Sequence, residues 1–195
     1  MWAKTICICV ILFIPIIWSL IVILITLSYV GVKPRFYIQE LYIPSLNTSN
    51  SLTHNFSNPN TSIFIDLKFK RDIAYVEIRY EDINITLFYG PNHTTSVGSA
   101  LVAGFKQGRK KVARRRAVVE ARGFPWEEAF ERVSGGSKVE VAVEVATGYR
   151  LRRCNEDDCY YTKAKAVVVA ADLVVDGSGL EVSKKPTRLK KVVLV

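Results

Sequence analysis

Residues 138–147, "KVEVAVEVAT", alternate without a break. Val139, Val141, Val143 and Val145 fall on one side, Glu140 and Glu144 on the other. Successive side chains of a strand point to opposite faces, so this stretch reads as a strand with one face in a core and one in water. Downstream, "KAKAVVVAADLVV" (163–175) is its match. Lys163 and Lys165 alternate at its start, and from Val168 onward it is largely apolar, as suits a central strand. Between them lies "RRCNEDDCYY" (152–161), where Cys154 and Cys159 flank a four-residue loop. A disulfide across that loop fits an oxidising compartment, and two free thiols are the alternative.

Upstream, the same alternation recurs in short runs. "RFYIQELYI" (35–43) places Phe36, Ile38, Leu41 and Ile43 on apolar sides, and residues 44–51 read as a turn. "LTHNFS" (52–57) is a short strand ended by Asn58-Pro59-Asn60. "SIFIDLKFK" (62–70), "AYVEIRY" (74–80), "INITLFY" (83–89) and "RRRAVVEAR" (114–122) follow as strands. "FPWEEAFERV" (124–133) is the one soluble helix in the pattern, with Pro125 at its start, Glu127 and Glu128 in its first turn, and Gly135-Gly136 as its stop. About seven or eight short strands at regular spacing specify an all-β, antiparallel β-sandwich.

The N-terminus is of another kind. Residues 5–32 carry no charge, and a span needs about 20 apolar residues. Residues 5–32 therefore read as a transmembrane signal-anchor helix, residues 1–4 as a short tail, and residues 33–195 as the folded domain. Pro15 within the run is tolerated in a membrane helix. A cleaved signal peptide is the alternative, but its apolar core would be only about 7–15 residues long. Lys33 and Arg35 lean weakly toward a cytosolic C-terminal domain. Five N-x-S/T sequons argue the other way: Asn47, Asn55, Asn60, Asn84 and Asn92. Three lie in a Ser/Asn-rich stretch where matches arise from composition, whereas Asn84 and Asn92 do not. The reading is a single-pass membrane protein, N-terminus cytosolic, with residues 33–195 facing the lumen and then the cell exterior.

The chain's net charge of +9 is concentrated in "KQGRKKVARRR" (106–116), which holds Lys106, Arg109, Lys110, Lys111, Arg114, Arg115 and Arg116 and no acid. Such a run suits nucleic acid in general, but outside the cell that partner is missing, so no nucleic-acid role is expected. Anionic lipid or another acidic polymer outside the cell is the polyanion within reach, the basic tail "KKPTRLKK" (184–191) adding to a lipid contact. A solvated strand flank with no ligand is the bland alternative. No phosphate loop, G-x-S-x-G, H-E-x-x-H or Cys/His pair is present, so no catalytic residue, cofactor or enzyme activity is expected. His54 and His93 are too remote from the cysteines for zinc, and the acidic loop 155–158 lacks calcium-loop spacing.

Taken in order, "FYIQEL" (36–41), "NPNTSIFIDLKFK" (58–70), "YEDINITLFYG" (80–90), "GFKQGRKK" (104–111) and "DGSGLEVSKKPTRLKK" (176–191) resemble the plant harpin-induced / non-race-specific-disease-resistance-like family, which carries the group-two late embryogenesis abundant domain. The resemblance covers nearly the whole chain. It implies a fibronectin-III-like sandwich held at the plasma membrane, a non-catalytic role in defence or stress response, protein partners in defence signalling, and acidic cell-wall polysaccharide as a polyanion the basic run could contact. The chain departs from the family in its short N-terminal tail and in "FKRDIAYVEIRYED" (69–82).

Overall fold

A computed structural model describes residues 14–24, 33–49, 61–71, 76–90, 95–108, 112–154 and 158–192. The chain divides into two units, Met1–Lys33 and Pro34–Val195. In the first, residues 14–24 form helix α1, with Ser19 Oγ donating to Ile16 O at 2.9 Å and apolar side chains such as Trp18 and Leu24 exposed. Among the described residues no helix is long and apolar enough to cross a membrane. The remainder of the expected span, residues 5–13 and 25–32, lies outside the described residues.

The second unit is built from β1 (Arg35–Asn47), β2 (Ser62–Lys70), β3 (Ile78–Tyr80), β4 (Ile83–Tyr89), β5 (Ser96–Val102), β6 (Lys106–Gln107) and β7 (Val112–Glu120). Helix α2 (Trp126–Ser134) follows, then β8 (Val139–Cys154), β9 (Cys159–Tyr161), β10 (Lys165–Val175), β11 (Ser178–Leu180), β12 (Thr187–Arg188) and β13 (Lys190–Lys191). All named pairings are antiparallel, in the order β11-β1-β2-β7-β5-β4-β8-β10-β13.

The alternating valines of β8 are the centre of one layer. Val139, Val141, Val143 and Val145 are fully buried. β10 pairs with β8 in unbroken register from Lys165↔Tyr149 to Val175↔Val139, while β4 and β3 pair with its other edge. The second layer is β1-β2-β7, whose inner rows hold Ile38, Leu41, Ile43, Ile65, Leu67 and Val119. A register shift between Ile38 and Glu40 moves the inward side chains of β1 from Phe36 and Ile38 to Leu41 and Ile43.

The layers join where β5 crosses β7 at the single pair Ser99↔Glu120. A Cβ on Gly98 would lie 2.6 Å from Glu120 O, so only glycine lets the backbones approach this closely. The opposite edge is closed by the tail. Glu181 N–H donates to Leu41 O at 3.3 Å, and Val182 N–H donates to Val174 O at 2.8 Å. The result is a β-sandwich with few free edges. α2 packs Trp126, Ala129 and Val133 inward beside β1 and β8, and ends where Gly135 N–H donates to Glu131 O at 2.9 Å.

Three expectations need correction. Thirteen strands are seen among the described residues, not seven or eight, because residues 96–102, 106–107 and 159–161 also pair as strands and the basic tail supplies three short ones. Residues 44–47 continue β1 instead of turning. Pro44 is tolerated there because pairing with β2 has already ended at Tyr42↔Phe64. The helix begins at Trp126, with Pro125 just outside it as the cap. "LTHNFS" (52–57) lies outside the described residues.

Candidate functional site

The basic run does not form one patch. Lys106 is exposed in β6, and Gln107 beside it is buried. Arg109, Lys110 and Lys111 lie outside the described residues. In β7, alternation turns Arg114 and Arg116 to the outside and Arg115 inward, where its guanidinium carbon sits 3.9 Å from the centroid of the Phe105 ring. The run therefore feeds two surfaces and one internal cation–π contact.

The first surface is a cleft of about 610 Å³ lined by Arg79, Glu81, Asp82, Gly104, Lys106 and Arg150 with Tyr80, Ala103 and Phe105. Its origin is a break shared by neighbouring strands. The inward side chains are Ile78 and Tyr80 in β3 but Ile83 and Ile85 in β4, so Glu81 and Asp82 are a bulge. Beside it, residues 103–105 interrupt β5 and β6. Tyr80 and Phe105 exchange backbone hydrogen bonds at 2.8 and 3.1 Å, Glu81 N–H donates to Gly148 O at 2.8 Å, and Gly104 N–H donates to Asp82 Oδ1 at 2.9 Å.

Register then brings three cations into line. Lys106 is opposite Arg79, and Arg79 is opposite Arg150. Like charges directly opposite one another destabilise a sheet. Glu81 relieves one of them: its Oε1 accepts from Arg150 Nη2 at 3.0 Å and Nε at 3.2 Å. Beneath the cleft, Tyr80 Oη donates to Gln107 Oε1 at 3.0 Å, and Gln107 Nε2 reaches Phe69 O of the facing layer at 3.4 Å. Burial pushes the Tyr80 phenol well above its usual range. Next to the row, Tyr161 Oη donates to Glu77, a bond that holds the Glu77 carboxyl below the ordinary range, with the charges of Arg152 and Lys106 assisting. Arg79 and Arg150 lie far from the basic run in sequence, and only the register of β3, β6 and β8 joins them to it.

The second surface is the outside of β1-β2-β7. One row across the strands is Arg188, Tyr37, Lys68 and Arg114. Another is Leu180, Tyr42, Phe64 and Val118, in which the Tyr42 and Phe64 rings stack with centroids 6.3 Å apart. Phe64, Val118 and Leu180 are exposed.

Of the sequon asparagines, Asn84 is exposed on β4, and Asn47 ends β1 with its Oδ1 accepting from Ser49 N–H at 3.0 Å. Asn55, Asn60 and Asn92 lie outside the described residues. Cys154 and Cys159 are disulfide-bonded as opposite residues of β8 and β9.

No family model matches the chain. Among curated proteins it is similar to Protein NDR1 of Arabidopsis thaliana, 27% identical over 169 residues, covering 82% of this chain and 70% of that protein. This similarity bears out the resemblance to the harpin-induced / non-race-specific-disease-resistance-like family. A solved structure of a protein from Archaeoglobus fulgidus covers 58% of this chain and 87% of its own at 12% identity and a TM-score of 0.33, a likeness too slight to assign a fold.

Proposed function

From the resemblance to the family, we propose that this chain is a single-pass plasma-membrane protein acting in plant defence or stress response. Residues 5–32 anchor it, and residues 33–195 stand outside the cell as a fibronectin-type sandwich. The domain is a non-catalytic interaction module that contacts an acidic wall polysaccharide and protein partners of defence signalling. The observation that carries this reading is the similarity to Protein NDR1 over 82% of the chain. The outward Asn84 and the Cys154–Cys159 bridge support an extracytosolic domain, where glycan addition and oxidation both occur. The exposed cations of the cleft, Arg79, Lys106 and Arg150, support a polyanion contact. A lipid contact is the second reading, favoured by the exposed Lys184, Lys185, Lys190 and Lys191.

The test is expression of the full chain in a plant host. Endoglycosidase should increase its gel mobility, and protease added outside intact cells should digest the domain. Unchanged mobility together with a protease-protected domain would place residues 33–195 in the cytosol and overturn the reading.

A further inference from the structure

We propose that the cleft between β3, β6 and β8 is a subsite for one uronic-acid residue of an acidic polysaccharide. The inference rests on the polysaccharide contact proposed above and names where and how it is made. Three features carry it. First, the row Lys106–Arg79–Arg150 sets like charges opposite one another, and Glu81 ion-pairs with Arg150 alone. Neither Arg79 nor Lys106 has a carboxylate within ion-pair distance among the described residues, although Glu77 is near enough to feel the charge of Lys106. A ligand carboxylate placed between them would relieve that repulsion, and the planar guanidinium fork of Arg79 matches a carboxylate in two parallel bonds.

Second, the cleft holds acceptors beside the cations. Asp82 lines the cleft and uses Oδ1 to accept from Gly104 N–H, a single bond that holds the carboxylate in place with acceptor capacity to spare. Glu81 lines the same space. A ring with one carboxylate and several hydroxyls satisfies both halves of this lining: anion to Arg79 and Lys106, hydroxyl donors to Asp82 and Glu81. A ligand with negative charge on every edge, such as a nucleic-acid backbone, would meet those two carboxylates unfavourably.

Third, the site is a half-open cleft. At about 610 Å³ it falls in the range of small-molecule clefts, and Gly104 lets residues 103–105 close against the Glu81–Asp82 bulge, since a Cβ there would lie 2.7 Å from Tyr80 O. A cleft of this size admits one residue of an extended glycan.

The experiment uses the full chain in neutral-detergent micelles, titrated calorimetrically with trigalacturonate, with the uncharged galactose trisaccharide, and with phosphatidylserine vesicles in place of detergent. The parent should bind trigalacturonate and not the neutral trisaccharide. The double variant Arg79→Gln/Lys106→Gln should lose about tenfold or more in affinity, because two charge-assisted contacts go. Arg114→Gln/Arg116→Gln, outside the cleft, should stay within about twofold, as expected for groups that touch no ligand. Arg79→Lys, which keeps the charge and loses the fork, should also weaken binding and covers the case in which the double variant fails to fold. Unchanged affinity in Arg79→Lys and in the double variant overturns the cleft. If Arg114→Gln/Arg116→Gln then loses binding, the polysaccharide contact survives on the other surface. Loss of vesicle binding in the cleft variants without any trigalacturonate binding makes the occupant a lipid headgroup and overturns the proposal. No binding of any acidic probe by the parent overturns both the cleft and the polysaccharide contact.

Discussion

Replacing Tyr80 with Phe should change how the domain responds to alkali more distinctly than how stable it is at neutral pH. Tyr80 is 1% exposed, and its hydroxyl donates to the buried Gln107 at 3.0 Å. Losing that bond should cost about 1–1.5 kcal/mol at neutral pH, since the ring and its packing against Phe69 and Phe105 remain. Burial holds the folded-state phenol pKa above the unfolded value of about 10. The sign follows from this: above pH of about 10 the unfolded chain releases a proton that the folded chain keeps, so the phenol's contribution is complete below that pH and is lost as pH rises toward the folded value. A single proton is worth about 1.4 kcal/mol per pH unit once the unfolded group is ionised. By about pH 11 this loss equals the neutral-pH advantage of the parent, and the two stability curves should cross there. Guanidinium unfolding followed by circular dichroism at a series of pH values between 7 and about 11.5 measures both curves. Parallel curves would refute the reasoning, because they would mean that the Tyr80 hydroxyl ionises as easily in the fold as out of it.

Gly98→Ala should destabilise the sandwich by about 1–3 kcal/mol, since the new Cβ meets backbone 2.6 Å away; a midpoint equal to the parent's in the same denaturation assay would deny the close crossing of β5 and β7. Cys154→Ser should cost no more than about 2 kcal/mol because the loop it closes is short, and a larger drop in thermal midpoint would mean the bridge holds more than its hairpin. Arg115→Ala should cost about 0.5–1 kcal/mol through its contact with Phe105, whereas Arg114→Ala and Arg116→Ala should stay within about 0.5 kcal/mol; equal losses for all three would contradict the alternation of β7.

The elements that the sequence makes legible are those whose periodicity is long and unbroken. β8 reads directly because its valines alternate through the centre of a layer with partners on both edges, and β10 because it is a long, largely apolar run that pairs with β8 in unbroken register. Phe36, Ile38, Leu41 and Ile43 were also legible as core, although the bulge that shifts their parity is visible only in the pairing with β2. The tail was not. "DGSGLEVSKKPTRLKK" reads as a basic extension, yet Ser178–Leu180, Thr187–Arg188 and Lys190–Lys191 each pair with a strand. Strands of two or three residues carry no period to detect, and their pairing is decided by the edges left open in β1 and β10. The candidate site divides in the same way. Lys106 and the β7 arginines announce themselves as a run. Arg79 and Arg150 do not, because each is flanked by ordinary strand residues and acquires a like-charged neighbour only through register.

That register has a physical consequence which favours a binding role over an idle flank. A charge run in a loop costs a fold little, because each side chain extends into water. Three cations fixed opposite one another on adjacent strands cannot separate so freely, and a sheet under no other demand would replace one of them. Here the repulsion coincides with two further departures from regular sheet: the Glu81–Asp82 bulge, and a glycine at 104 whose lack of a side chain lets the chain close against that bulge. Each departure taken singly has structural explanations. Their meeting at one cleft, above the buried Tyr80–Gln107 hydrogen bond, is what the proposed uronic-acid subsite accounts for.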